Sequence, residues 1–250
     1  AVALFFEGHG EEGRAHGLDL LSGLGIADLN GAADLIFCGS GNDDVDAYNG
    51  IDFVFGSDGM DNLRADNGGF IIVPISGVPT PIALGNIMFG GDDDDIIRSL
   101  GRVGLPTVPP IEIDLLFGNN CDDNISCGDG MNIAFGNKGS DTITTSTGLL
   151  GINLLFGNSG EDTITTADGL NVAFGNREND VITAGNGINV LFGNRGNDTI
   201  QGGAGLNVAF GNKGDDIVWA GPGLSILFGN SGRDDVKGGA GLSLGRSLRE

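Results

Sequence analysis

Ten aspartates occupy one fixed place in a recurring unit: Asp43, Asp61, Asp95, Asp123, Asp141, Asp162, Asp180, Asp198, Asp216 and Asp234. Each lies six residues after a phenylalanine, from Phe37 and Asp43 to Phe228 and Asp234. From Phe156 to Phe228 the phenylalanines recur every 18 residues. Carboxylates repeated at the pitch of a structural unit fall into a file. Neighbours about 5 Å apart repel by roughly 1 kcal/mol even in water. Such a file needs cations or substantial pKa shifts. Hard oxygen donors favour Ca2+ over Zn2+, and Gly-x-Gly-x-Asp bends also expose backbone carbonyls as ligands. The plainer alternative is that each Asp closes an Asx-turn at a solvated bend.

The elements that position the file follow from the repeat. Residues 193–210 split into two halves of nine. The first, Gly193-Asn194-Arg195-Gly196-Asn197-Asp198-Thr199-Ile200-Gln201, and the second, Gly202-Gly203-Ala204-Gly205-Leu206-Asn207-Val208-Ala209-Phe210, share one plan. A Gly-rich turn is followed by a polar anchor and a short apolar strand. One coil of a solenoid is then 18 residues, with two strands on opposite walls. Gly supplies the positive φ of tight turns, and Asn119, Asn137, Asn158, Asn176, Asn194, Asn212 and Asn230 tolerate it. Val45, Leu63, Ile97, Ile125, Ile143, Ile164, Ile182, Ile200, Val218 and Val236 form an apolar ladder suited to a parallel sheet. Ala134, Leu155, Ala173, Leu191, Ala209 and Leu227 are expected to face them. Coils stacked at about 4.8 Å make the expected fold an all-β parallel β-solenoid (β-roll) of about ten coils.

These halves resemble the nonapeptide G-G-x-G-x-D-x-U-x of the RTX, or haemolysin-type calcium-binding, family. Cys38-Gly39-Ser40-Gly41-Asn42-Asp43-Asp44-Val45 matches at every position but the first. The resemblance covers about residues 34–242. It implies Ca2+ held between turns by Asp side chains and backbone carbonyls, and it carries that role to the ten Asp residues. In the second halves the anchor is Asp34, Asp52 and Asp114 early in the chain. It becomes Asn132, Asn153, Asn171, Asn189 and Asn207, then Ser225. Calcium is therefore expected along one side, and on both sides near the N-terminal end. The Asn file would be a neutral hydrogen-bonded ladder. Asp93, Cys121 and Glu178 replace the turn Gly, which weakens the site assignment there. The Phe file has two readings, core packing or an outward face. The family's alternation places Phe outward together with Val172, Val190, Val208 and Ile226, an apolar stripe that monomers rarely leave bare.

Charge and composition narrow the function. The net charge is −22, which argues against nucleic acid or an anionic membrane as partner. No apolar run approaches a transmembrane span. Cys38, Cys121 and Cys127 read as isolated thiols, since Cys121 and Cys127 flank a strand too long for a disulfide. His9 and His16 match no zinc motif and sit in an expected irregular N-terminal cap over residues 1–33. Apolar, Pro-bearing insertions near 65–85 and 98–113 read as inserted loops, and 243–250 reads as a tail. No nucleophile-and-base set is evident, so the chain reads as a non-enzyme. The first reading is a secreted, self-assembling extracellular protein (filament, sheath or surface layer) that associates through the Phe/Val stripe, with cell-surface or polysaccharide contact as a further partner. The alternative is a calcium-folded module of a larger secreted toxin, adhesin or enzyme. Ice binding and a polysaccharide-modifying enzyme rank below both.

Overall fold

The computed structural model describes residues 2–3, 34–47, 50–66, 69–75, 78–100, 113–146 and 151–248. Every regular element among them is a β-strand of at most nine residues. The repeat explains this. Gly and Asn reverse the chain before a helical stretch can form, and the residues between bends are β-branched or aromatic.

The chain divides into two compact units, Ala1–Ile133 and Ala134–Glu250. In unit 1 the long strands Asp34–Ser40, Phe53–Asp58, Ile87–Asp92 and Ile113–Asn119 pair in parallel, each with the next. The short strands Asp44–Asp46, Asn62–Ala65, Ile96–Ser99 and Asn124–Cys127 make a second parallel sheet. Unit 2 repeats the scheme more regularly. Its long strands are Ile152–Ser159, Gly169–Arg177, Gly187–Arg195, Gly205–Lys213, Leu224–Ser231 and Ser243–Leu248. Its short strands are Thr142–Thr145, Thr163–Thr165, Val181–Thr183, Thr199–Gln201, Ile217–Trp219 and Asp235–Lys237. Equivalent residues pair 18 apart, as in Phe174 with Phe192 and Phe192 with Phe210. Each unit is thus a parallel β-solenoid; the expected coil of 18 residues is the register of most of unit 2, and insertions lengthen it to 34 and 28 residues in unit 1.

The core is a thin seam between the two walls of each unit. Leu63, Ile97, Ile125, Ile143, Ile164, Ile182, Ile200 and Val218 are fully buried, as are Ala134, Leu155, Ala173, Leu191 and Ala209 opposite them. Alternation along each strand decides what faces out. Phe156, Phe174, Phe192, Phe210 and Phe228 are half-buried on the outer face, one position past the buried ladder. Their rings stack at 4.8–5.1 Å between centroids. The outward reading of the Phe file is therefore the one the structure shows.

Two segments differ from expectation. The insertion near 65–85 is not an irregular loop: Gly69–Ile75 and Val78–Leu84 pair as an antiparallel hairpin. Phe70-Ile71-Ile72-Val73 carries strong strand propensity. The C-terminal tail also contributes a strand, Ser243–Leu248, which continues the parallel sheet of unit 2. Of the expected N-terminal cap only Val2–Ala3 is described, paired with Asp34 and Leu35. His9, His16 and residues 101–112 of the second insertion lie outside the described residues.

Candidate metal centre

Nine of the ten file aspartates are buried, from Asp43 to Asp216, and Asp234 is half-buried. They do not project into solvent, as Asp at an exposed Asx-turn would. Eight of the aspartates donate the backbone N–H to Oδ1 of the Asp one coil on. In unit 1 the links are Asp43 to Asp61 at 2.9 Å, Asp61 to Asp95 at 2.8 Å and Asp95 to Asp123 at 2.9 Å. In unit 2 they run from Asp141 to Asp162, Asp180, Asp198, Asp216 and Asp234 at 2.8–3.2 Å. One carboxylate oxygen is thereby committed to holding the coils together.

The second oxygen is a different matter. Oδ2 of Asp43, Asp61, Asp95, Asp180, Asp198, Asp216 and Asp234 is buried without a hydrogen-bond partner. A buried carboxylate oxygen left in this state carries a substantial desolvation cost. The Gly five residues earlier makes room for it. At Gly56, Gly90, Gly157, Gly175, Gly193, Gly211 and Gly229 an added Cβ would overlap Oδ2 of the following file Asp. This is a close approach that the turn consensus alone did not reveal. In the first coil Cys38 occupies the glycine position and is buried beside the file. Burial, and then Asp43, Asp61 and Asp95, push its thiol up to about 12.

Burial dominates the electrostatics of the file. It raises the carboxyls of Asp61, Asp95 and Asp216 to about 7, Asp180 to about 8 and Asp198 to about 6. The backbone N–H bond opposes the shift in each, and neighbouring file aspartates add to it for Asp61, Asp95, Asp180 and Asp216. A file this reluctant to ionise gains from a divalent cation.

The donor chemistry fits Ca2+. The available atoms are hard carboxylate oxygens, and no group of three or more His, Cys, Asp or Glu side chains converges among the described residues. A bound Ca2+ would therefore be shared by neighbouring carboxylates and completed by turn carbonyls, which suits its preference for many oxygen ligands. It would supply charge neutralisation to Oδ2.

The second anchor file behaves differently. Asp114 uses both oxygens, accepting from Asn86 N–H at 2.7 Å and from Ser99 Oγ at 2.6 Å. Asn86 lies between Asp52 and Asp114, and its Oδ1 accepts the Asp52 N–H at 3.2 Å. From Asp52 to Asp114 this file alternates carboxylate, amide and carboxylate in successive coils. Asp34 opens its strand, and its side chain lies outside what the structure describes. In unit 2 the file is an amide ladder. Asn153, Asn171 and Asn189 each donate Nδ2 to Oδ1 of the next Asn at 2.8–2.9 Å, and Asn207 donates to Ser225 Oγ at 3.3 Å. The turn Asn residues have φ of 72–92° and form a second, outer ladder, such as Asn194 to Asn176 at 3.2 Å. Asp93, Cys121 and Glu178 also hold positive φ, at 75°, 70° and 68°. All three cysteines are free thiols.

The family model for RTX calcium-binding nonapeptide repeats matches the chain in overlapping stretches: 128–148, 135–173, 147–182, 174–209, 183–218, 192–226 and 210–242. No curated protein and no solved structure matches closely enough to show a relationship. No helix among the described residues is long and apolar enough to cross a membrane.

Proposed function

We propose, from the premise that residues 128–242 are RTX calcium-binding nonapeptide repeats, that the chain is a secreted structural protein which folds on calcium and self-associates outside the cell. RTX nonapeptide repeats bind Ca2+. The ten file aspartates are the ligands in this reading, with Oδ2 as the donor atom. A chain of net charge −22 repels itself when unliganded, and calcium relieves that repulsion as it orders the coils.

The observation that carries self-association is the outer face of the long strands in unit 2. Beside the stacked Phe file run Val172, Val190, Val208 and Ile226, all half-buried. Beyond them Leu170, Ile188 and Leu224 are 41%, 49% and 47% exposed. Three adjacent apolar files make a flat, continuous patch, and such patches mark contact surfaces. A second copy brings the same files at the same pitch.

The test is far-UV circular dichroism during calcium titration after EDTA, with light scattering on the same sample. The expected result is a cooperative gain of β signal with growth in mass. Serine at Phe174, Phe192 and Phe210 should keep the β signal and lose the growth. A wild-type chain that folds with calcium but stays monomeric at high concentration rejects self-assembly in favour of a module within a larger secreted protein. Full β signal in EDTA at pH 8, above the raised file carboxyls, rejects calcium-driven folding.

A further inference from the structure

The same turn position carries opposite charge in the two units. Three residues after Phe, unit 2 has Arg177, Arg195 and Lys213 in successive coils, with Arg177 paired to Arg195 and Arg195 to Lys213 in register. All three are exposed. None forms an ion pair among the described residues. Acids of the same row of turns accept hydrogen bonds from neighbouring coils. Glu178 accepts from the Gly160 N–H, Glu161 from Asn179 Nδ2, and Asp215 from the Arg233 N–H. A file of like charges at the coil spacing repels by about 1 kcal/mol per neighbour, which an anionic edge at the same spacing would relieve.

Unit 1 supplies the complement. At the equivalent position stand Asp58 and Asp92, in register in adjacent coils. Asp93 and Asp94 follow Asp92, and all four are exposed. Asp92 accepts from Asn120 and Asp94 from the Asp122 N–H, each through Oδ1, which leaves the outer oxygens toward solvent. The two edges are also commensurate. Stacked Phe rings set a coil spacing of 4.7–4.9 Å in unit 1 and 4.8–5.1 Å in unit 2. Two successive basic coils can therefore face the Asp58 and Asp92 coils in register, with Asp93 and Asp94 adding charge beside Asp92.

We infer that the basic turn edge of unit 2 docks on the acidic turn edge of unit 1 in a second copy of this chain. The inference rests on the self-assembly reading and adds the surface that selects the partner and sets its register. The contact is heterologous, so it propagates along an open chain of copies unless its rotation closes it. The matching pitch is what favours a second copy over a free polyanion, whose spacing owes nothing to the coil.

The experiment uses the full chain loaded with calcium, in sedimentation velocity. One variant is R177E/R195E/K213E, acidic on both edges. The other is D58K/D92K/D94K, basic on both edges. Each alone should associate at least tenfold more weakly than wild type, with circular dichroism confirming that both fold. Mixed in equal amounts, they should associate again, because the basic edge of one meets the acidic edge of the other. Wild-type association should also weaken as salt shortens the screening length. Variants that assemble as wild type does overturn the edge contact and leave self-assembly through the apolar face standing. A monomeric wild type overturns both. A wild-type chain that binds an acidic polysaccharide through Arg177, Arg195 and Lys213 without associating overturns the choice of a second copy.

Discussion

In unit 1 the phenylalanines Phe37, Phe55, Phe89 and Phe117 stand 18, 34 and 28 residues apart, whereas from Phe156 to Phe228 in unit 2 the spacing never departs from 18. The cores differ too. Unit 1 faces its short strands with Ile36, Val54, Met88 and Leu116, and unit 2 alternates Ala173, Leu191, Ala209 and Leu227. The second anchor file mixes Asp52, Asn86 and Asp114 in one unit and is an amide ladder in the other. Yet the parallel register and the Asp-to-Asp hydrogen bonds are the same in both. What the fold demands of each coil is small: one buried Asp, room for its Oδ2, and one apolar residue two positions on. The family model matches from residue 128, while the structural repeat runs through unit 1 as well.

The largest expected effect comes from the feature the units share. In EDTA, burial keeps the carboxyls of Asp61, Asp95, Asp180, Asp198 and Asp216 at pKa values of about 6–8, so the folded chain holds protons that the unfolded chain has released. Stability of the metal-free chain is then full below the ordinary carboxylate range, near pH 4. It is lost as pH rises through 6–8. Saturating calcium should abolish that loss and release protons on binding. Hydrogen exchange resolved by unit would sharpen the comparison. Unit 1 also buries Asp114, whose carboxyl burial pushes upward, so it should lose protection first. Equal protection at pH 5 and pH 8 in EDTA would remove the electrostatic account of the file.

Next in size is the space beside Oδ2. At Gly193 a Cβ overlaps Oδ2 of Asp198 and comes too close to its Cγ and Cβ. The carboxylate cannot swing aside while Oδ1 holds the Asp180 N–H. Gly193→Ala should therefore cost at least about 2 kcal/mol, at the upper end of overpacking effects. The first coil already accommodates Cys38 at this position. Cys38→Ala should be nearly neutral, within about 1 kcal/mol. Urea midpoints of the calcium-loaded variants measure both. Equal losses would mean that the first coil is as tight as the regular ones.

Much of this was legible before the structure. The spacing of Asp and Phe foretold the coil, its length and the inner ladder. Periodicity could not show what each carboxylate oxygen does, because that depends on register between residues 18 or more apart. The hydrogen bond from Ser99 to Asp114, across from the opposite wall, was likewise invisible in the periodicity. Pro74, Pro79 and Pro81 hid the hairpin, because proline argues against a central strand and this pair is not one. The last strand was missed because Arg246 stands where earlier coils have Phe, opposite Phe228.

The smallest expected effect tests how much irregularity a coil absorbs. Glu178 holds φ of 68° where the neighbouring coils have Gly160 and Gly196. A side chain in that conformation costs about 1 kcal/mol. Glycine relieves this strain but adds freedom to the unfolded chain, and it removes the exposed bond from the Gly160 N–H to Glu178 Oε2 at 3.1 Å. The net gain for Glu178→Gly should be a few tenths of a kcal/mol. Asp93→Gly, at φ of 75° in unit 1, tests the same strain in an irregular setting. Asp93 makes no backbone bond comparable to that of Glu178 among the described residues, so its gain should be the larger. Calcium-loaded urea midpoints would resolve the order. A gain at 93 and a loss at 178 would show that the exposed carboxylate of Glu178 contributes more than its backbone strain costs.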